Sequence, residues 1–244
     1  QNPDSPVQIR VAPPRCRLRF CEAEAVPLSG DPRVSFFRRI AAVFMAGMPL
    51  PCMKILFETE RLFLRELEQA DFATLCRTLQ DERAMYAYEH VFSDEEAQAW
   101  LANQQRRYRE EGFGLWGVVR KADGQFLGQC GLTLQPLGDG TRGIEVGYLF
   151  ERTYWHNGYA TEAAIACKEY AFCTLHAEKV YSIIRENNLP SRRVAERNGM
   201  HVCGRLVKHY YGMEMPHLIY RAENPHGSAR VQHGQAAGQD PRKK

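Results

Sequence analysis

From residue 53 onward the chain changes from irregular to periodic. MKILFETERLFLRELEQADF, 53–72, alternates apolar and polar positions and then passes to helical spacing. This predicts a strand near 61–66 and a helix near 70–80 with Phe72, Leu75, Cys76 and Leu79 on its inner face. Ser93 followed three residues later by Glu96 forms a capping box, and Ala97, Trp100, Leu101 and Tyr108 give the helix it opens a buried stripe. FGLWGVVRKADGQFLGQCGLTLQPL reads as a β-hairpin turning at Asp123-Gly124. A strand GIEVGYLF, a turn TYWHNG and a helix YATEAAIACKEYAFCTL follow. The strand KVYSIIR, a short helix PSRRVAERNG and closing strands near 200–208 and 213–221 complete the set. Hairpins, then β-α-β, then α-β-β predict an α+β fold around a mixed, mostly antiparallel sheet of six to seven strands flanked by four helices.

The flanks differ from this core. Residues 1–53 hold frequent Pro and Arg and no sustained period, so they are expected to be a disordered arm or a translated leader ahead of Met45, Met48 or Met53. Residues 222–244 are polar and Gly-rich and should form a disordered tail, which leaves a domain at 54–221. Charge follows the same division. The formal net charge of +3 divides into +3 before residue 54, −2 over 54–221 and +2 beyond. A nucleic-acid binder would carry its positive stripe on the folded part, so none is expected as a partner.

Eight cysteines are scattered with no C-x-x-C pair and no Cys/His cluster, so neither a structural zinc nor a disulfide framework is indicated, and a reducing cytoplasm is the expected setting. His201, His209 and His217 have no carboxylate at metal-ligand spacing, and no metal is assigned. The longest apolar run, 40–53, is too short and proline-broken to span a bilayer, and it begins too late for a signal peptide.

Two glycine motifs compete as anion sites. G-D-G-T-R-G, 138–143, matches a dinucleotide fingerprint, but a strand follows it where the fingerprint needs a helix, so it reads as a hairpin loop. Gly158 lies between a strand and a helix. Either it only shapes the turn, or it lets the chain approach a ligand while the helix start offers free N–H groups to a pyrophosphate.

Residues 145–164 resemble motif A of the GNAT N-acetyltransferases, in particular the subgroup of the RimJ and RimL ribosomal-protein acetyltransferases. The resemblance rests on Gly147-Tyr148, Tyr154-Trp155 and Gly158-Tyr159-Ala160-Thr161-Glu162-Ala163. TERLFLREL near the start and ENNLPSRRVAERNGM after the motif are similar to further family segments in the same order. Departures are His156 for the commoner Gly, Asn157 for a Lys or Arg, Met200 for Phe, and Ala195 where many relatives have a general-acid tyrosine.

This resemblance implies acetyl-CoA in an opening between the strands at 145–150 and 180–185. The backbone of Tyr148, Leu149 and Phe150 would pair with pantetheine, and Trp155, His156, Asn157, Gly158, Tyr159, Ala160 and Thr161 would hold the pyrophosphate. Asn188 contacts the cofactor, caps the next helix, or does both. Glu145 is the candidate general base, with a salt-bridged strand residue as the alternative. Ser191 is the candidate acid for the departing thiolate, against a role as a cap. Tyr86, Tyr88, Glu89 and His90 would line the acceptor side or simply pack. The implied protein is a monomer or homodimer that moves an acetyl group from acetyl-CoA to a primary amine on a protein N-terminus or a small molecule. A non-catalytic acyl-CoA sensor and an NAD-binding oxidoreductase are the competing classes.

Overall fold

A computed structural model describes Arg19–Phe20, 55–210 and 212–225. The arm or leader expected over 1–53 and the tail expected over 222–244 therefore lie outside the described residues, apart from Arg19–Phe20 and 222–225. The strands are β1 (Arg19–Phe20), β2 (Ile55–Glu58), β3 (Leu62–Arg65), β4 (Leu115–Arg120), β5 (Phe126–Pro136), β6 (Arg142–Phe150), β7 (Lys179–Arg185), β8 (His201–Tyr210) and β9 (Met213–Glu223). The helices are α1 (Phe72–Leu79), α2 (Asp94–Glu110), α3 (Tyr159–Cys173) and α4 (Leu189–Arg197). One sheet runs in the order β1-β2-β3-β4-β5-β6-β7-β9-β8.

The α+β class, the mostly antiparallel sheet and the four helices agree with the pattern of the sequence. The strand number among the described residues is higher than six to seven, because 55–65 divides into two strands and β1 adds a two-residue edge. The Thr59 hydroxyl and amide bond with Leu62 across a tight turn, so β2 and β3 form their own hairpin. Residues 137–141 close the β5–β6 hairpin, as expected of G-D-G-T-R-G, with Leu137 N–H on the Thr141 carbonyl at 3.0 Å. β9 reaches Glu223, two residues past the expected domain boundary.

Helices cover both faces of the sheet. On one side α3 and α4 pack over Leu62, Leu64, Trp116, Val118, Leu127, Cys130, Leu132 and Val146. Ala163, Ala164, Ala166, Cys167 and Ala171 of α3 are all buried, and their small side chains let the helix lie close on the strands. Phe57, Trp116 and Tyr170 lock that contact with ring centroids 5.1–5.5 Å apart. On the other side α1 and α2 enclose Leu67, Leu75, Leu79, Met85, Leu101, Val119 and Phe126. Residues alternate between the two cores along β6: Val146, Tyr148 and Phe150 face α3, and Leu149 faces α1 and α2.

One junction breaks the sheet. β6 and β7 run parallel and share a single ladder pair, Glu145 with Tyr181. Beyond it β6 stays with β5 up to Phe150, while β7 stays with β9 up to Arg185. The two strands part, and a wedge opens in the middle of the sheet.

Candidate active site

One wall of the wedge is the exposed edge of β6. The Val146 carbonyl points toward β7, since the Ser182 hydroxyl donates to it at 2.8 Å. Strand alternation then turns the Tyr148 main chain the same way, into the opening. Side chains of Leu149 and Phe150 belong to the two cores; the same alternation turns the Leu149 main chain toward β5 rather than into the opening, and the Phe150 carbonyl already accepts the Trp155 indole N–H at 2.9 Å.

That indole bond folds the turn after β6. Asn157 Nδ2 donates back to the carbonyls of Trp155 and Tyr154 at 2.9 and 3.3 Å, while His156 and Gly158 take φ of +63° and +79°. A left-handed conformation costs an ordinary L-residue about 1–2 kcal/mol, and glycine avoids the cost at the position that starts α3. Gly158 brings no capping side chain, and the first helical bond runs from Glu162 N–H to the Gly158 carbonyl. Amides of Tyr159, Ala160 and Thr161 precede that bond, stand outside the helical ladder and share a direction. His156 and Asn157 lie exposed on the rim, and Trp155 is half-buried beneath it.

Sequence reasoning missed a cation at this turn. Arg61, from the β2–β3 turn, sends Nε to Glu162 at 2.7 Å and Nη1 to the Asn157 carbonyl at 3.1 Å, and its guanidinium lies 4.6 Å above the Tyr159 ring centre. Nη2 stands 3.5 Å from the point a Cβ on Gly158 would occupy. Burial alone would raise the Glu162 carboxyl, but bonds from the Thr59 hydroxyl and from the Arg61 amide and guanidinium outweigh it and hold its pKa below the ordinary value. The positive charge absent at Asn157 is thus supplied from almost a hundred residues away.

The opposite wall comes from β7 and α4. Asn188 Oδ1 accepts Ser191 N–H at 3.2 Å and caps α4, and Tyr148 reaches across to donate its hydroxyl to the Ser191 carbonyl at 2.6 Å. Ser191 is therefore held at the wedge, half-buried. Glu145 lies at the vertex, where Oε2 accepts the Thr133 hydroxyl and Oε1 accepts Ile183 N–H, both at 3.1 Å. Ala195, on the buried side of α4, carries no acid.

Over the mouth lies the loop between α1 and α2. Arg185 at the end of β7 tethers it by donating to the Tyr86 carbonyl at 3.0 Å and pairing with Glu89. Tyr88 keeps 38 % of its surface accessible, while its hydroxyl is set among protein atoms. Burial first, then the Glu145 charge and Tyr210, push that hydroxyl's pKa upward, so it stays protonated. Tyr86, Tyr88 and Glu89 thus gather at the opening. In the same loop His90 Nε2 lies 2.8 Å from the Glu96 carboxylate at the start of α2. His209 meets a single carboxylate, Glu214, at 3.4 Å, and no group of three or more potential metal ligands occurs among the described residues. No helix among them is long and apolar enough to cross a membrane.

Comparisons with known proteins agree with this architecture. The protein is similar to YkkB of Bacillus subtilis, 40% identical over 144 residues that span 59% of this chain and 83% of the relative. It is also similar to the N-acetyltransferase YnaD of Bacillus subtilis, 31% identical over 143 residues, 58% of this chain and 80% of that one. In fold it resembles the ribosomal-protein acetyltransferase RimL solved in complex with coenzyme A, with a TM-score of 0.55 and 16% identity over 68% of this chain and 95% of that one. Residues 61–201 match the Acetyltransferase (GNAT) domain, and they hold the wedge, the Gly158 turn and the capped α4 together. The chain belongs to the GNAT family of acetyltransferases.

Proposed function

We propose that this protein is an acetyl-CoA-dependent N-acetyltransferase of the cytoplasm that transfers the acetyl group directly to a primary amine, on a protein N-terminus or a small molecule. The observation that carries the reading is a wedge with unpaired strand backbone on one side and, at its end, a helix start with free amides beside an arginine. An extended pantetheine arm pairs with backbone as an added strand does, and a pyrophosphate suits such a helix start. RimL, which shares the fold, was solved with coenzyme A.

In this mechanism Gly158, Tyr159, Ala160, Thr161 and Arg61 bind the diphosphate, and Tyr148 N–H faces the thioester carbonyl. The acceptor enters below Tyr86 and Tyr88 as a neutral amine, its proton having passed to solvent. Its nitrogen forms a bond to the acetyl carbon, and the Tyr148 N–H stabilises the resulting oxyanion. When the C–S bond breaks, the Ser191 hydroxyl gives its proton to the thiolate and recovers one from the amide nitrogen through solvent. The products are the acetylated amine and CoA thiol.

Calorimetry with acetyl-CoA, followed by thiol release across a panel of amines and peptide N-termini, tests the reading. Tight binding with turnover of at least one amine supports it. Binding without turnover across the panel points to an acyl-CoA sensor, and absence of binding ends the proposal.

Two substitutions probe the assigned parts. Ser191→Ala should slow turnover about 100-fold, at the low end of what a positioned proton donor contributes, with CoA affinity held within about twofold. Equal rates in variant and parent would reduce Ser191 to a structural residue. Arg61→Ala should weaken CoA binding by about tenfold, or ~1.4 kcal/mol, and leave KM for phosphate-free acetyl-pantetheine unchanged. A matching loss with both donors would assign Arg61 to folding of the turn rather than to phosphate.

A further inference from the structure

The wedge needs a cause. β6 and β7 part after one bridge, and the rung that would have come next can be identified. The Val146 carbonyl faces β7, so in a continued ladder it would accept Ile183 N–H, and Tyr148 N–H would go to the Ile183 carbonyl. Neither strand is used that way. Ile183 N–H is taken at 3.1 Å by Glu145 Oε1, and the Val146 carbonyl is taken at 2.8 Å by the Ser182 hydroxyl. Glu145's second oxygen accepts the Thr133 hydroxyl from β5 at 3.1 Å, which braces the side chain from behind. Ser182 is itself buried and rests against the Met200 sulfur, so its hydroxyl is held in place.

We propose that Glu145 is a positioning residue that spaces β7 from β6, its carboxylate replacing the Val146 carbonyl as the acceptor of Ile183 N–H and so leaving Tyr148 N–H unpaired for the acyl donor. This inference rests on the reading of the wedge as the acetyl-CoA site. It also gives Glu145 a different part from the general base that its place in the sequence suggested. Both carboxylate oxygens already accept hydrogen bonds, one of them from the Ile183 backbone, so the side chain is held between β5 and β7. The Glu145 charge reaches Tyr88 of the α1–α2 loop and Tyr148 of β6, whose hydroxyls are raised first by burial and then by neighbours that include it.

Glu145→Gln separates the two roles. The glutamine carbonyl can accept Ile183 N–H and its amide can donate to Thr133 Oγ1, so the spacer persists, but the group can no longer accept a proton. Parent, Glu145→Gln and Glu145→Ala are compared by calorimetry with CoA, and by turnover rate, KM and pH profile with the amine acetylated fastest in the panel. The spacer role predicts that Glu145→Gln keeps CoA affinity and turnover within about twofold of the parent and leaves the acid limb of the pH profile in place. Glu145→Ala should weaken CoA binding roughly tenfold or more, as expected when a buried amide loses its acceptor and the strands close. If Glu145→Gln instead turns over at least about 100-fold more slowly and loses the acid limb, the proposal is overturned in favour of a base. Parent-like CoA affinity in Glu145→Ala overturns it as well. If the alanine variant does not fold, the glutamine variant alone decides. If the parent itself binds no CoA, the functional reading fails first and the inference falls with it, a result distinguishable from the others.

Discussion

Gly158→Asp is expected to lower affinity for CoA by at least about 100-fold, ~2.7 kcal/mol, while the domain still folds. Three consequences of one side chain combine. A carboxylate at the helix start would accept the amides of the first turn, using up the donors assigned to the diphosphate. It would stand beside Arg61 Nη2, 3.5 Å from the new Cβ, and occupy the side of that cation left open by its pairing with Glu162. Finally, it would place negative charge against the incoming phosphates. Folding should survive because 3.5 Å is ordinary contact and because Asp tolerates φ of +79° better than most residues. Gly158→Ala is the steric control: it adds the Cβ without the charge, and its loss should stay below about tenfold. CoA titrations of both variants, with thermal melts alongside, check the prediction. Parent-like affinity in Gly158→Asp would remove the diphosphate from this turn.

Asp71→Ala is expected to destabilise the protein by about 3–5 kcal/mol. Asp71 pairs with Arg65 through two bonds of 2.6 Å and accepts Glu68 N–H at 2.8 Å, which fixes the entry to α1. Side chains of the pair are only 12% and 8% exposed, against the core formed by α1 and α2. Burial by itself would lower the Arg65 pKa, yet the Asp71 hydrogen bonds and charge more than compensate, and the net shift is upward. Removing Asp71 would therefore leave a permanent cation near Phe126 without the carboxylate that touches it, only the more distant Glu68 charge remaining. Denaturant unfolding should show a lower midpoint at constant slope, and the melting temperature should fall by roughly 6–20 °C. Replacing both partners by apolar residues, Arg65→Met with Asp71→Leu, should restore most of the loss. A single-variant effect below about 1 kcal/mol would mean that the pair behaves as an exposed one.

The parts of the protein legible in its sequence are those made by neighbours along the chain. Ser93 and Glu96 bond each other's backbone at the start of α2 as their spacing requires. Gly124 turns the β4–β5 hairpin with φ of +71°, and Gly158 takes its left-handed conformation between a strand and a helix. Asn188 caps α4, one of the two roles left open for it. Caps, turns and faces depend on residues two to four positions apart, so local pattern suffices to read them.

What the tertiary structure alone decided involves partners brought together by strand order. TERL became a separate turn because Glu162, 103 residues from Thr59, accepts its hydroxyl at 2.6 Å, and the same carboxylate holds Arg61 against the Gly158 turn. His90 meets Glu96 at the start of α2, a contact made by the way the α1–α2 loop folds back on the helix. Glu145 could be recognised as a polar strand residue, but its engagement depends on Thr133 across one strand pair and on Ile183 across the other. A sequence therefore determined which elements form and where a chain can turn tightly, since those energies are local. Which donor each buried acceptor receives was decided by the fold, because a hydrogen bond is worth little until the surrounding core excludes the water that competes for it.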